Sequence, residues 1–191
     1  MGIPVWIKSI SKIDSLITFL HENPQRAFYH FKALHIYGFD PRYSYSDIEL
    51  INYTLNHKFE NFFQNRIAFA QDLFGNQFCF VNDGSIILVN IETLEIEAVS
   101  SNFDDFDKVI FDRANYLTAW PLAEKWIEVN NNEFNFNERL CPKIPFVLGG
   151  EFSASNLYQS DIFMNISFCA ELYHQIKEIP DGTNYILKVK W

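Results

Sequence analysis

The chain has 191 residues, 48% of them hydrophobic and 20% charged, with a formal net charge of -9. This length and balance exclude a disordered chain, and a mini-protein that needs disulfide or metal staples, and they predict one folded domain. The scattered Lys and Arg form no basic patch, which excludes direct nucleic-acid binding.

In chain order, Ser11 to His21 reads as a first helix. Ile13, Leu16, Ile17 and Leu20 recur at helical spacing, Asp14 follows Ser11 as a capping-box partner, and Asn23-Pro24 ends the run. A second helix is expected over Gln25 to Leu34. A punctuated loop over Gly38 to Tyr45 leads to a helix over Ser46 to Leu55, capped by Ser46.

The period then changes from helical to alternating. Arg66 to Leu73 alternates, Gly75-Asn76 turns the chain, and Gln77 to Val81 is a short aromatic strand. Asn82-Asp83-Gly84 is the strongest hairpin signal in the chain. Ser85 to Asn90 is apolar on both faces, as a covered central strand is. Leu94 to Val99 alternates, which predicts Leu94, Ile96 and Ala98 packed beneath helices, with Glu95 and Glu97 exposed on the opposite face. These runs form a meander of about four antiparallel strands.

A helix capped by Ser101 or Asn102 follows, with Asp104 and Asp105 in its first turn, where the helix dipole favours carboxylates. Its apolar stripe is Phe103, Phe106, Val109, Ile110 and Ala114. Pro121 opens another helix over Leu122 to Val129, and Asn130-Asn131-Asn132 is a loop. Lys143 to Gly150 is an apolar segment closed by two glycines, Asp161 to Ile179 a long helix, and Thr183 to Val189 a final strand.

Charge is the most uneven feature. The interval from Ile67 to Asp107 holds Asp72, Asp83, Glu92, Glu95, Glu97, Asp104, Asp105 and Asp107, and no Lys, Arg or His. The remaining residues carry 16 acids against 15 bases, so this interval holds nearly all of the net charge. A concentrated negative field on rigid elements either keeps a sheet face solvated or steers a basic partner to it.

Other chemistry is sparse. The five His stand at no metal-ligand spacing, Gly149-Gly150 lacks the rest of a phosphate-binding loop, and no Ser lies in a nucleophile elbow. No catalytic, metal or cofactor residues are expected. A carboxylate-dependent hydrolase is the enzymatic alternative, with Asp104, Asp105 and Asp107 as the nearest approach to a cluster. Cys79, Cys141 and Cys169 read as buried free thiols of a reducing compartment. Met1 to Ile7 has no signal-peptide pattern and no apolar run approaches about 18 residues, so a cytoplasmic, non-membrane address is expected.

Two segments carry a family resemblance. They are Phe69-Ala70-Gln71-Asp72-Leu73-Phe74-Gly75-Asn76-Gln77-Phe78-Cys79-Phe80 and Ile144-Pro145-Phe146-Val147-Leu148-Gly149-Gly150-Glu151-Phe152, the latter continuing through Asn156-Leu157-Tyr158. With the Pro180-Asp181-Gly182-Thr183 ending, they resemble the SMI1/KNR4 superfamily over Ile67 to Val189. The resemblance implies a single α+β domain over residues 1–191 with a central, mostly antiparallel sheet packed by helices; residues 1–60 would be a helical N-terminal portion. It also implies a non-enzymatic immunity protein that binds and neutralises a cognate toxin domain, such as a nuclease of a bacterial polymorphic toxin system. The alternative is an intracellular regulatory or scaffold protein of the same superfamily. The charge pattern and the resemblance together place the partner surface on Glu92, Glu95, Glu97, Asp104, Asp105 and Asp107, with Asp72 and Asp83 as further candidates. The Tyr37 to Tyr45 and Asn130 to Phe136 loops are the next candidates.

Overall fold

The computed structural model describes residues 14–22, 27–38, 42–180, 182–183 and 187–188. Six strands form one antiparallel sheet in chain order: β1 (Ala27–Tyr29), β2 (Leu34–Ile36), β3 (Arg66–Gln71), β4 (Gln77–Val81), β5 (Ile86–Val89) and β6 (Ile96–Ser100). A second antiparallel pair joins β7 (Glu138–Pro142) to β8 (Leu157–Asp161). The helices are α1 (Asp14–Glu22), α2 (Ile48–Lys58), α3 (Phe106–Thr118), α4 (Trp120–Asn130) and α5 (Ile162–Ile176). The chain is therefore a single α+β domain, as its alternating and helical periods imply.

The core is aromatic. Phe69 and Phe78 of the sheet meet Phe106 of α3 at ring-centroid distances of 5.1 and 5.5 Å, edge to face. Phe106, Ile110 and Ala114 are buried, so the stripe expected on this helix is the one that packs. Its backbone breaks at Arg113 (φ -121°, ψ 20°), and Ala119 at φ 56° turns the chain directly into α4, where Pro121 sits in the first turn. The three cysteines are buried and free.

A helix covers the point where the sheet pairing stops short. Beyond Ile36, the N–H of Tyr37 still reaches Phe69 O, but Ala68 has no strand beside it on that edge. Asn52 of α2 fills the position: its Oδ1 accepts from Ala68 N at 2.9 Å and its Nδ2 donates to Ala68 O at 2.8 Å. A buried amide thus replaces a strand and satisfies both backbone groups.

Several expectations need correction. Gln25 to Leu34 is not a helix, because it contains β1 and the start of β2. The turn between them holds His30, Phe31 and Lys32 at φ 51°, 55° and 65° with no glycine to announce it. Arg139 fixes that turn by donating to Lys32 O at 2.7 Å, and Lys32 itself reaches Phe134 O and Glu133. Residues 1–60 are therefore not purely helical.

Asp47, not Ser46, caps α2, accepting from Glu49 N and Leu50 N. Ser46 is buried and bonds His35 instead. Both β7 and β8 form strands that the sequence reading did not assign. Ser11, and residues 184–186 and 189 of the expected final strand, lie outside the described residues.

The register of β6 is also corrected. Leu94 is buried but sits in the turn at φ 61°, outside the strand. Ile96 is 49% exposed and Ala98 is exposed, whereas Val99 is buried and Glu97 faces α3. The turn takes up Leu94, a bulge falls between the Ile86 and Ile87 pairings, and the alternation no longer buries the even positions.

These differences separate two variants by urea denaturation. Asn52→Ala strands two buried backbone groups and is expected to cost about 2–4 kcal/mol. Ile96→Ala is expected to cost less than about 1 kcal/mol, far below the cost of truncating a buried Ile.

Candidate functional site

A groove of about 750 Å³ opens where four segments meet. The β5–β6 hairpin supplies Leu88, Asn90, Glu95, Ile96 and Glu97. The end of α3 supplies Asn115 and Tyr116, with Ala119 just beyond it. The turn after β3 brings Asp72, Phe74 and Asn76, and the loop after β7 brings Phe146 and Phe152. Phe74, Phe146 and Phe152 contact one another at centroid distances of 5.0, 5.4 and 5.5 Å, so one wall is an aromatic cluster.

The eight carboxylates of the acidic interval divide into distinct environments. Asp72 is buried and wholly engaged. Its Oδ1 accepts from Phe74 N at 2.9 Å and Asn76 N at 2.8 Å, and its Oδ2 accepts from Asn76 Nδ2 at 2.8 Å. Burial pushes its carboxyl up to about 7, against these hydrogen bonds and the positive charge of Arg139, which act to lower it. Arg139 is itself buried, which lowers its guanidinium to about 10, opposed by the negative charge of Asp72.

Glu92 is buried too, which corrects its place among the surface candidates. Its Oε2 accepts from Val147 N at 2.9 Å and its Oε1 from Phe146 N at 3.4 Å. Burial raises its pKa and these two N–H groups oppose the rise. Glu92 pins the loop that forms the aromatic wall, and is not open to a partner.

The other candidates lie at the surface in two groups. Glu95 and Glu97 stand on the groove. Glu97 accepts from Arg113 Nη2 at 2.8 Å and from the Tyr116 hydroxyl at 2.8 Å. Its hydrogen bond is the main cause of a raised Tyr116 pKa. Arg113 lies outside the acidic interval, so the fold supplies a counter-charge that the linear sequence does not show. An exposed pair of this kind contributes only about 0–1 kcal/mol.

Asp104, Asp105 and Asp107 form the second group, exposed at the start of α3. Asp105 lies about 12 Å from Arg113 along that helix, given its rise per residue. Asp105 precedes the helix without capping it; Asn102 bonds both its N–H and its carboxylate, ordering the turn that leads in. Asp83 is exposed in the β4–β5 turn, where it accepts from Ser85 N and Oγ.

Chemically, the groove suits a cation with an apolar body. Both oxygens of Asp72 and of Glu97 already accept hydrogen bonds, which leaves Glu95 as the more available carboxylate. Aromatic faces beside acidic groups attract Lys and Arg and cover their aliphatic stems. Among the described residues no group of three His, Cys, Asp or Glu could hold a metal ion, and no helix is long and apolar enough to cross a membrane.

The sequence reading located Glu95 and Glu97 but missed the aromatic wall and Tyr116. The available signal was the apolar run from Ile144 to Leu148, which contains a proline and is closed by two glycines, as a loop is rather than a buried strand or helix.

No protein-family model matches the sequence, and no curated protein does. The fold is similar to that of the crystal structure of Atu4351 from Agrobacterium tumefaciens, at a TM-score of 0.60 and 12% identity, over 89% of this chain and 80% of that one. At that identity the likeness speaks to fold alone.

Asp72 gives a pH dependence with a defined sign. Its carboxyl binds a proton more readily in the folded chain, near 7, than unfolded, near 3.9. Between those values the folded state holds more protons, so this group's contribution to stability is fully present below the unfolded value and is lost as pH rises through about 7. Urea midpoints measured from pH 4 to 8 should show that decline, and Asp72→Asn should remove this part of the slope even though it also lowers the midpoint.

Proposed function

We propose that this chain is a binding protein that captures a basic protein partner, acting as an immunity protein against a cognate toxin domain such as a nuclease. The observation that carries the reading is the meeting of surface carboxylates with a pre-formed groove: Glu95 and Glu97 line a cavity that has one aromatic wall. Asp104, Asp105 and Asp107 add a second group of exposed carboxylates at the start of α3. A nuclease must bind phosphate and so presents a basic face. Carboxylates held on strands and a helix oppose such a face at a low ordering cost and speed the encounter. The resemblance of the Phe69–Phe80 and Ile144–Tyr158 segments to SMI1/KNR4 proteins supports the same reading.

The test is co-expression with the C-terminal domain of a modular secreted protein, sought among the products of the genes that neighbour this one. Cells are expected to survive only when the chain is present; equal killing with and without it overturns the pairing. With that domain in hand, stopped-flow association at two salt concentrations measures steering. The folded triple variant Glu95→Gln, Glu97→Gln, Asp105→Asn should associate more slowly and with a flatter salt dependence. An unchanged rate moves the interface off the acidic surface.

A further inference from the structure

The loop from Ile144 to Phe152 exposes Ile144, Val147, Leu148 and Phe152, the last at 64%. Exposed apolar side chains on a flexible loop can fold inward, but these cannot. Asn156 accepts from Ile144 N and donates to Ile144 O and Glu151 O, each at 3.0 Å. Pro145 O receives both Leu148 N and Gly150 N. Gly149 holds φ 87°, and a Cβ on Gly150 would stand 1.8 Å from Ile144 O. From beneath, Glu92 ties down Phe146 and Val147.

The fold therefore uses a buried carboxylate, a buried amide and two glycines to hold hydrophobic side chains in water. Such pre-organisation lowers the cost of binding, and exposed apolar groups of this kind mark interaction sites.

We infer that this loop and the adjoining groove are the docking point for a partner-protein segment that carries an apolar side chain next to a lysine or arginine. This rests on the binding reading above and names where and how the partner is held. The apolar side chain packs against Phe152, Phe146 and Ile96. The neighbouring cation reaches Glu95, the carboxylate that Arg113 and Tyr116 leave available on the groove. Charge selects this occupant: Glu95 stands exposed on the groove wall, and the chain as a whole is at -9, so a second copy would bring like charge to the same place. The arrangement separates two tasks. The surface carboxylates, Asp104, Asp105 and Asp107 among them, speed the encounter; the apolar contacts of the loop and groove govern how long the complex lasts.

The probe is a blocked Lys-Leu-Arg-Leu-Lys peptide titrated into the full, isotopically labelled chain and followed by amide NMR shifts. Saturable shifts are expected at Ile96, Tyr116, Val147 and Phe152. Affinity should fall about tenfold for Lys-Ser-Arg-Ser-Lys, for Glu-Leu-Glu-Leu-Glu, and in the exposed-residue variants Phe152→Ser and Ile96→Ser. Two variants are used so that a local disturbance of the aromatic wall by one does not decide the result.

Shifts confined to other surfaces, or no saturable binding, overturn the inference. Equal binding of the Leu and Ser peptides, lost only in Glu95→Gln, Glu97→Gln, also overturns it, while leaving the acidic-surface reading intact. Sedimentation as a dimer that Phe152→Ser dissolves would assign the loop to a second copy and overturn it as well. Survival in the co-expression assay is independent of the peptide result, so failure of either reading is seen separately.

Discussion

The turn from Asp72 to Gln77 is the constraint on which the site depends. One carboxylate, Asp72, organises it by accepting from two backbone N–H groups and the Asn76 amide. From there the bonds fan out. Asn76 Oδ1 receives Ile91 N at the foot of the β5–β6 hairpin, and Gly75 O receives the Gln77 side chain. Phe74 O receives Asn165 of α5, Leu73 N reaches Thr118 O at the end of α3, and Leu73 O receives Leu140 N of β7. The turn thereby joins both sheets and two helices at the edge of the groove. Gly75 is required there twice over: φ is 89°, and an added Cβ would lie 2.7 Å from Asn165 Nδ2.

Burying Asp72 and Glu92 is costly unless donors surround them, and the chain supplies backbone N–H groups for both. These two acids shape the surface on which the others act. An acidic interval that looks uniform in the linear sequence is thus two internal staples and a set of surface charges. The staples place an aromatic wall beside Glu95 and Glu97, and the wall gives a purely electrostatic surface the apolar area that long-lived complexes need.

The parts of the fold legible in the sequence are those with local signals. Asn82-Asp83-Gly84 announced its hairpin, and Gly84 takes φ 92° there. Pro121 opened α4, and the Phe106-Ile110-Ala114 stripe of α3 packed as its spacing required. What was not legible depends on partners far along the chain. The β1–β2 turn uses three left-handed non-glycine residues held by Arg139, more than a hundred residues away. Strand β7 lacks clean alternation because Arg139, its second residue, is buried together with Leu140 and Cys141. The outward turn of Ile96 followed from Leu94 adopting φ 61°, which no pattern of apolar residues encodes. For the site, sequence could count carboxylates but could not tell an acid facing water from one facing backbone N–H groups.

Native-state hydrogen exchange of Asp72→Ala against the parent chain tests the central claim that the Asp72 turn holds the site together. Phe74 and Asn76 lose their acceptor in this variant and must exchange faster on any account. The informative amides are remote: Ile91 on the hairpin, Leu73 bonded to α3, and Leu140 on the second sheet. The account predicts that these lose protection together while Ala68, held by Asn52, keeps it. Retention of protection at Ile91, Leu73 and Leu140, with loss confined to Phe74 and Asn76, would contradict it.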